Sequence, residues 1–152
     1  MKGQQSDSHW GRLQGQQGTV MVETLVVIPF VLVFALGILE FGALFWERQL
    51  MQGGVRDAAR YLSRCNPAFS SCSITVARNI AFYGNPTGTG ALRLADWHRD
   101  DQLTVSAPFP PATTGSVTVT GSFTYQGSPL VSALRLPPIL VSYASTQRYF
   151  GW

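Results

Sequence analysis

The sequence predicts an α+β chain: a long N-terminal transmembrane helix that continues into a domain with a second short helix and a small antiparallel β-sheet. Three observations carry this. No charge occurs between Glu23 and Glu40. From Glu47 to Arg64 there is no proline, and apolar residues recur at near-helical spacing. From Val117 to Gln126 apolar residues and Ser/Thr/Gln alternate strictly, the period of a half-buried strand.

The apolar run with its shoulders, Val20 to Trp46, exceeds the roughly 20 residues a helix needs to cross a bilayer. It is longer than a secretory signal core, and Phe45-Trp46-Glu47-Arg48 follows it where a small-residue cleavage site would stand. The segment is therefore expected to be retained. A soluble core helix would need a polar face, and this stretch offers none. Glu23 and Glu40 lie about 26 Å apart on a helix and would mark opposite interfaces. Phe41, Phe45 and Trp46 fit an aromatic belt. Pro29 is tolerated in a membrane helix but frees a carbonyl and is expected to kink it. Gly37 and Gly42 would let another helix approach, with ordinary membrane-helix composition as the alternative for them and for Pro29.

Residues 1–18 are polar, with four Gly and five Gln and no apolar periodicity, and are expected to be disordered. His9 is a lone histidine in that tail. Beyond the span about 105 residues remain, enough for one small domain. The organisation expected is thus a polar leader at 1–18, a transmembrane helix at 19–46 and an extracytoplasmic α+β domain at 47–152. Net charge is only +3, and no lysine follows Lys2. Clustered cations with interleaved aromatics are missing, so nucleic acid is not an expected partner.

Leu50, Met51, Val55, Ala58, Ala59 and Leu62 give the helix after the span an inner stripe. Arg48, Arg56, Arg60 and Arg64 fall on four-residue steps along one side. That side reads as a solvated basic face, with anionic headgroups or an assembly partner as the alternative. Asp57 has Arg60 and Tyr61 as its local neighbours, and Gly53-Gly54 predicts a weak point or kink. Ser73 would cap a second helix with an apolar stripe of Ile74, Ala77, Ile80 and Ala81, ended by Gly84. Strands are expected at Leu103–Ala107, at 117–126 and from Ile139 to about Tyr149, separated by Pro108, Pro110-Pro111 and Pro137-Pro138.

Gly18 is followed at the fifth position by Glu23, at the boundary between leader and span. This resembles a type IV prepilin-like processing site, with a cut between Gly18 and Thr19. The resemblance implies that the new amine of one subunit meets the Glu23 of a neighbour during assembly. Val22-Glu23, the run with Pro29, Gly37-Ile38-Leu39-Glu40-Phe41-Gly42 and Gly54-Val55-Arg56-Asp57-Ala58-Ala59-Arg60-Tyr61 together are similar to the TadE-like family, minor pseudopilins of tight-adherence (Flp-type) pilus systems. The usual aromatic after the glutamate is Thr24 here. Similarity continues loosely through Val76–Gly84 and Pro137-Pro138-Ile139.

The resemblance implies a pilin-like outline and a place in the bacterial inner membrane. The N-terminus would be cytoplasmic, the C-terminal domain periplasmic, and the chain open to incorporation in a pilus for adhesion and biofilm formation. Expected partners are the membrane, a prepilin peptidase, other pilins or pseudopilins, and assembly-platform proteins, with no small-molecule substrate. Arginines on both sides of the span leave the orientation to the resemblance and to the cysteines. Cys65 and Cys72 bracket a turn-rich loop. Outside the cytoplasm they would form a disulfide; two buried thiols are the alternative.

No catalytic, cofactor or metal residues are expected. The one tempting cluster is Asp96-Trp97-His98-Arg99-Asp100-Asp101, where Asp96, His98 and Asp100 would serve a membrane-tethered enzyme or ion-binding domain. Consecutive residues rarely converge on one point, and no nucleophile motif accompanies His98. The other alternative is an unprocessed single-pass scaffold of the pilus or secretion machine.

Overall fold

The computed structural model describes residues 13–66, 72–106, 109, 115–128, 131–132, 135 and 137–150, with side chains from Val20 onward. The elements are α1 (Leu13–Arg64), α2 (Ile74–Tyr83), β1 (Leu103–Val105), β2 (Ser116–Tyr125) and β3 (Ile139–Arg148), with a 3-10 turn (Asp100–Gln102) before β1. The chain divides into two units, Met1–Phe41 and Gly42–Trp152. The architecture is the α+β one expected.

In the first unit, α1 begins at Leu13, five residues before Gly18. The expected disorder therefore does not extend to Gly18. No proline lies between Leu13 and Pro29, so a helix established in the apolar run propagates backwards one bond per residue. Residues 1–12, with His9, lie outside the described residues. Pro29 is accommodated within the helix.

In the second unit the predicted stripe of α1 is the core: Met51, Val55, Ala58, Ala59 and Leu62 are all fully buried. Opposite them in the cluster stand Leu103 of β1, Val117, Val119 and Phe123 of β2, and Val141 of β3. The sheet is an antiparallel meander, β1-β2-β3. Leu103 pairs with Gly121, and β2 pairs with β3 from Ser116↔Arg148 to Tyr125↔Ile139. The alternation along β2 is obeyed at every position, with Val117, Val119, Gly121, Phe123 and Tyr125 turned inwards. β1 stops at Val105, and Ala107, to which the strand was expected to run, lies outside the described residues.

Helix α2 follows its sequence signals. The Ser73 hydroxyl accepts from the Thr75 amide, and Gly84 adopts φ 76° while its amide donates to the Ile80 carbonyl. Its buried residues are Ala77, Ala81 and Phe82. Ile74 and Ile80 of the expected stripe are half-exposed, because Phe82 packs edge-on against Trp97, with centroids 5.0 Å apart, and sets which side faces in.

Trp97 is the largest fully buried side chain among the described residues, and it explains the glycines. A Cβ on Gly54 would collide with the Ala81 carbonyl and stand 2.8 Å from Trp97 Cζ3. A Cβ on Gly121 would stand 2.5 Å from Val55 Cγ2 and 3.1 Å from Trp97 Cζ2. Gly53-Gly54 is accordingly no break: α1 runs on to Arg64, and Gly54 is where α2 and the indole come close to its backbone.

The C-terminal end of α1, whose last carbonyls lack helical partners, is closed by the two residues that follow β3. The Phe150 amide donates to the Ser63 carbonyl at 2.9 Å. The buried Tyr149 hydroxyl donates to the Cys65 carbonyl at 2.8 Å. Cys65 and Cys72 form the expected disulfide, with Cα atoms 5.7 Å apart.

Candidate functional site

The first unit presents the surface that needs a partner. Every described side chain from Val20 to Leu36 is exposed, with Phe34 and Met21 each 74% accessible. None of the most apolar window of this helix is buried within the protein. The helix of a soluble core would be mostly covered, so this one is built for lipid or for other helices. It is long and apolar enough to anchor the chain in a membrane.

Two polar side chains stand near its start. The Thr24 hydroxyl donates to the Val20 carbonyl at 2.8 Å, which satisfies it inside the helix and lets it sit in hydrocarbon. Glu23 is exposed, and its carboxylate has no hydrogen-bond partner among the described residues. A carboxylate at membrane depth is costly unless a cation meets it. Gly18 and Thr19 belong to α1 as backbone. The three residues of the expected processing and recognition site therefore lie on one continuous helix.

The structure disperses the other candidate cluster. The His98 ring nitrogen Nδ1 contacts the Ala95 carbonyl at 2.9 Å, Asp100 pairs with Arg78 at 3.4 Å, and Asp101 pairs with Arg99 at 3.7 Å. No group of metal-ligating side chains assembles among the described residues. What organises the turn is Gln102, which the sequence reading passed over. Its buried side chain accepts from the His98 and Arg99 amides, both at 2.9 Å, and donates to the Asp96 carbonyl at 2.7 Å. A polar residue one position before an apolar strand gives no local sign of such a role.

Asp57 pairs with neither Arg60 nor Tyr61. Its carboxylate meets Arg93 at 2.7 Å, 36 residues away, and the Arg93 amide donates to the Phe82 carbonyl. Arg93 thus ties α1 to the end of α2. Arg56 lies over the Tyr143 ring at 5.8 Å, so the arginine face is partly committed to packing.

A protein-family model described as TadE-like protein matches residues 18–60. That range begins at the expected processing glycine and ends in the buried stripe of the second unit. No curated protein and no solved structure matches the chain.

Proposed function

We propose that this chain, with its TadE-like segment at 18–60, is a membrane-anchored, pseudopilin-like component of a tight-adherence pilus system, working by assembly. The observation that carries the proposal is the bare helix: a TadE-like match laid over an apolar surface that the protein leaves uncovered. In this reading a prepilin peptidase cuts between Gly18 and Thr19. The new N-terminal amine then lies near Glu23, whose carboxylate lacks a partner among the described residues. Pairing amine and carboxylate between neighbouring subunits would neutralise both charges in hydrocarbon and set the register of adjacent helices. The leader would face the cytoplasm and the disulfide-bearing second unit the periplasm, where thiols are kept oxidised. Pilins, pseudopilins and platform proteins would meet the helix from Thr19 to Trp46.

The mass and N-terminal sequence of the protein recovered from native membranes test this. A start at Thr19 is the expected result. A start at Met1 sinks the processed pseudopilin and leaves an anchored scaffold of the same machine. With a Thr19 start, Glu23→Ala is expected to retain membrane insertion and lose assembly into the pilus complex.

A further inference from the structure

Among the described arginines of the second unit that face no carboxylate, Arg60 and Arg64 are the two that line one groove. Arg60 and Arg64 lie one turn apart on the exposed side of α1, and no carboxylate among the described residues stands within ion-pair range of either. Asp57, the nearest acid in sequence, is held by Arg93. The undescribed segments 67–71, 107–108 and 110–114 contain no acidic residue. Like charges at this spacing repel and destabilise a helix. The pair also flanks a groove of about 370 Å³, lined by Asp57, Arg60, Tyr61, Arg64 and Cys65. Two forked guanidiniums beside an aromatic ring suit a carboxylate-bearing loop.

Such a loop exists on the same chain. Asp96 and Asp101 are exposed; Asp96 has no side-chain partner among the described residues, and Asp101 has only a 3.7 Å contact with exposed Arg99. Three bonds from Gln102 hold the turn in one conformation. The backbone that carries its carboxylates is thus preorganised, and docking the turn sacrifices little backbone freedom. Asp100 is paired with Arg78, which leaves Asp96 and Asp101 as the two carboxylates the turn offers to the two guanidiniums of Arg60 and Arg64. No ion pair joins the turn to that arginine pair within one copy.

We propose that the Arg60/Arg64 groove of one copy receives the Asp96–Asp101 turn of a second copy. Because the two surfaces differ, the contact is head-to-tail: each copy keeps a free groove and a free turn, and the contact propagates unless its rotation closes a ring. Anionic lipid is a poorer occupant. Arg60 and Arg64 lie 14 and 18 residues past Trp46, about 21 and 27 Å along the helix. That exceeds the reach of a headgroup layer and, at physiological salt, the roughly 8 Å screening length. The contact does not depend on cleavage at Gly18.

The test is a charge exchange on the purified full-length chain in vesicles of uncharged lipid, with a photoreactive amino acid at position 61. Crosslinking between copies, mapped by mass spectrometry to residues 96–101, is expected and should fall at least tenfold between 50 and 500 mM salt. Arg60→Glu/Arg64→Glu and, separately, Asp96→Arg/Asp101→Arg should each abolish it. Mixing the two variants should restore it in one direction only, from the first variant's groove to the second variant's turn. Failure of the mixture to crosslink, with both variants folded by circular dichroism, would overturn the proposal. So would crosslinks that map elsewhere, or that appear only with anionic vesicles. Pilus assembly is not read in this experiment, so its failure leaves the pilus proposal standing.

Discussion

Gly54 of α1 lies against the indole of Trp97 so closely that a single added methyl would stand 2.8 Å from Cζ3 and strike the Ala81 carbonyl. The second unit is assembled around this contact. The indole fills the space between the first helix and the sheet, and Gly121 of β2 admits it from the other side.

Gly54→Ala should therefore destabilise the protein by about 1–3 kcal/mol, the range for overpacking a core, although alanine is the better helix former. Gly53→Ala is the control. There the new Cβ meets only the end of the Arg93 side chain, at 3.4 Å, and the gain in helix propensity of up to roughly 1 kcal/mol should show. Denaturant midpoints of the full chain in detergent should move in opposite directions.

Gln102→Ala should cost about 2 kcal/mol, because the amides of His98 and Arg99 and the carbonyl of Asp96 lose their common partner. His98→Ala should change the midpoint little, since the residue is exposed and its ring meets only the local Ala95 carbonyl among the described residues. An equal loss for both variants would assign the turn's order to the histidine.

Cys65→Ser/Cys72→Ser should lower stability by roughly 2–3 kcal/mol on the chain-entropy estimate for so short a loop. Reduction of the native protein should give the same midpoint as the double variant, and no further loss should follow when the variant itself is reduced.

Tyr149→Phe keeps the ring and removes the hydrogen bond to the Cys65 carbonyl. A loss of about 1 kcal/mol is expected. Hydrogen exchange should localise the weakening to the last turn of α1 and leave the amides of β2 protected.

Much of this architecture was legible because it is local. Strand alternation, the Ser73 cap, the Gly84 stop and the inner stripe of α1 all depend on residues a few positions apart, and all were found where their periods put them. Features that join distant segments were not legible. Asp57 has an arginine three residues on, yet its partner is Arg93. Trp97 stands in a run of charged residues that gives no sign of a core position, yet it is wholly buried. A Gly-Gly pair within a helix has one appearance whether it kinks or admits a neighbour, and only the position of the indole decides. Of the candidate site, the apolar surface was plain from composition. Glu23 stood out because a charge in such a run is conspicuous. The Arg60/Arg64 groove depends on where the acids of the whole chain end up.

The end of α1 is completed by residues that lie more than eighty positions further along the chain. A ribosome delivers Tyr149 and Phe150 long after α1, so the first helix waits for the residues beyond β3 before its last carbonyls are covered. A chain cut short anywhere before β3 keeps an open helix end beside its cysteines. Such a fragment leaves the Ser63 and Cys65 carbonyls without the donors that cover them in the folded unit.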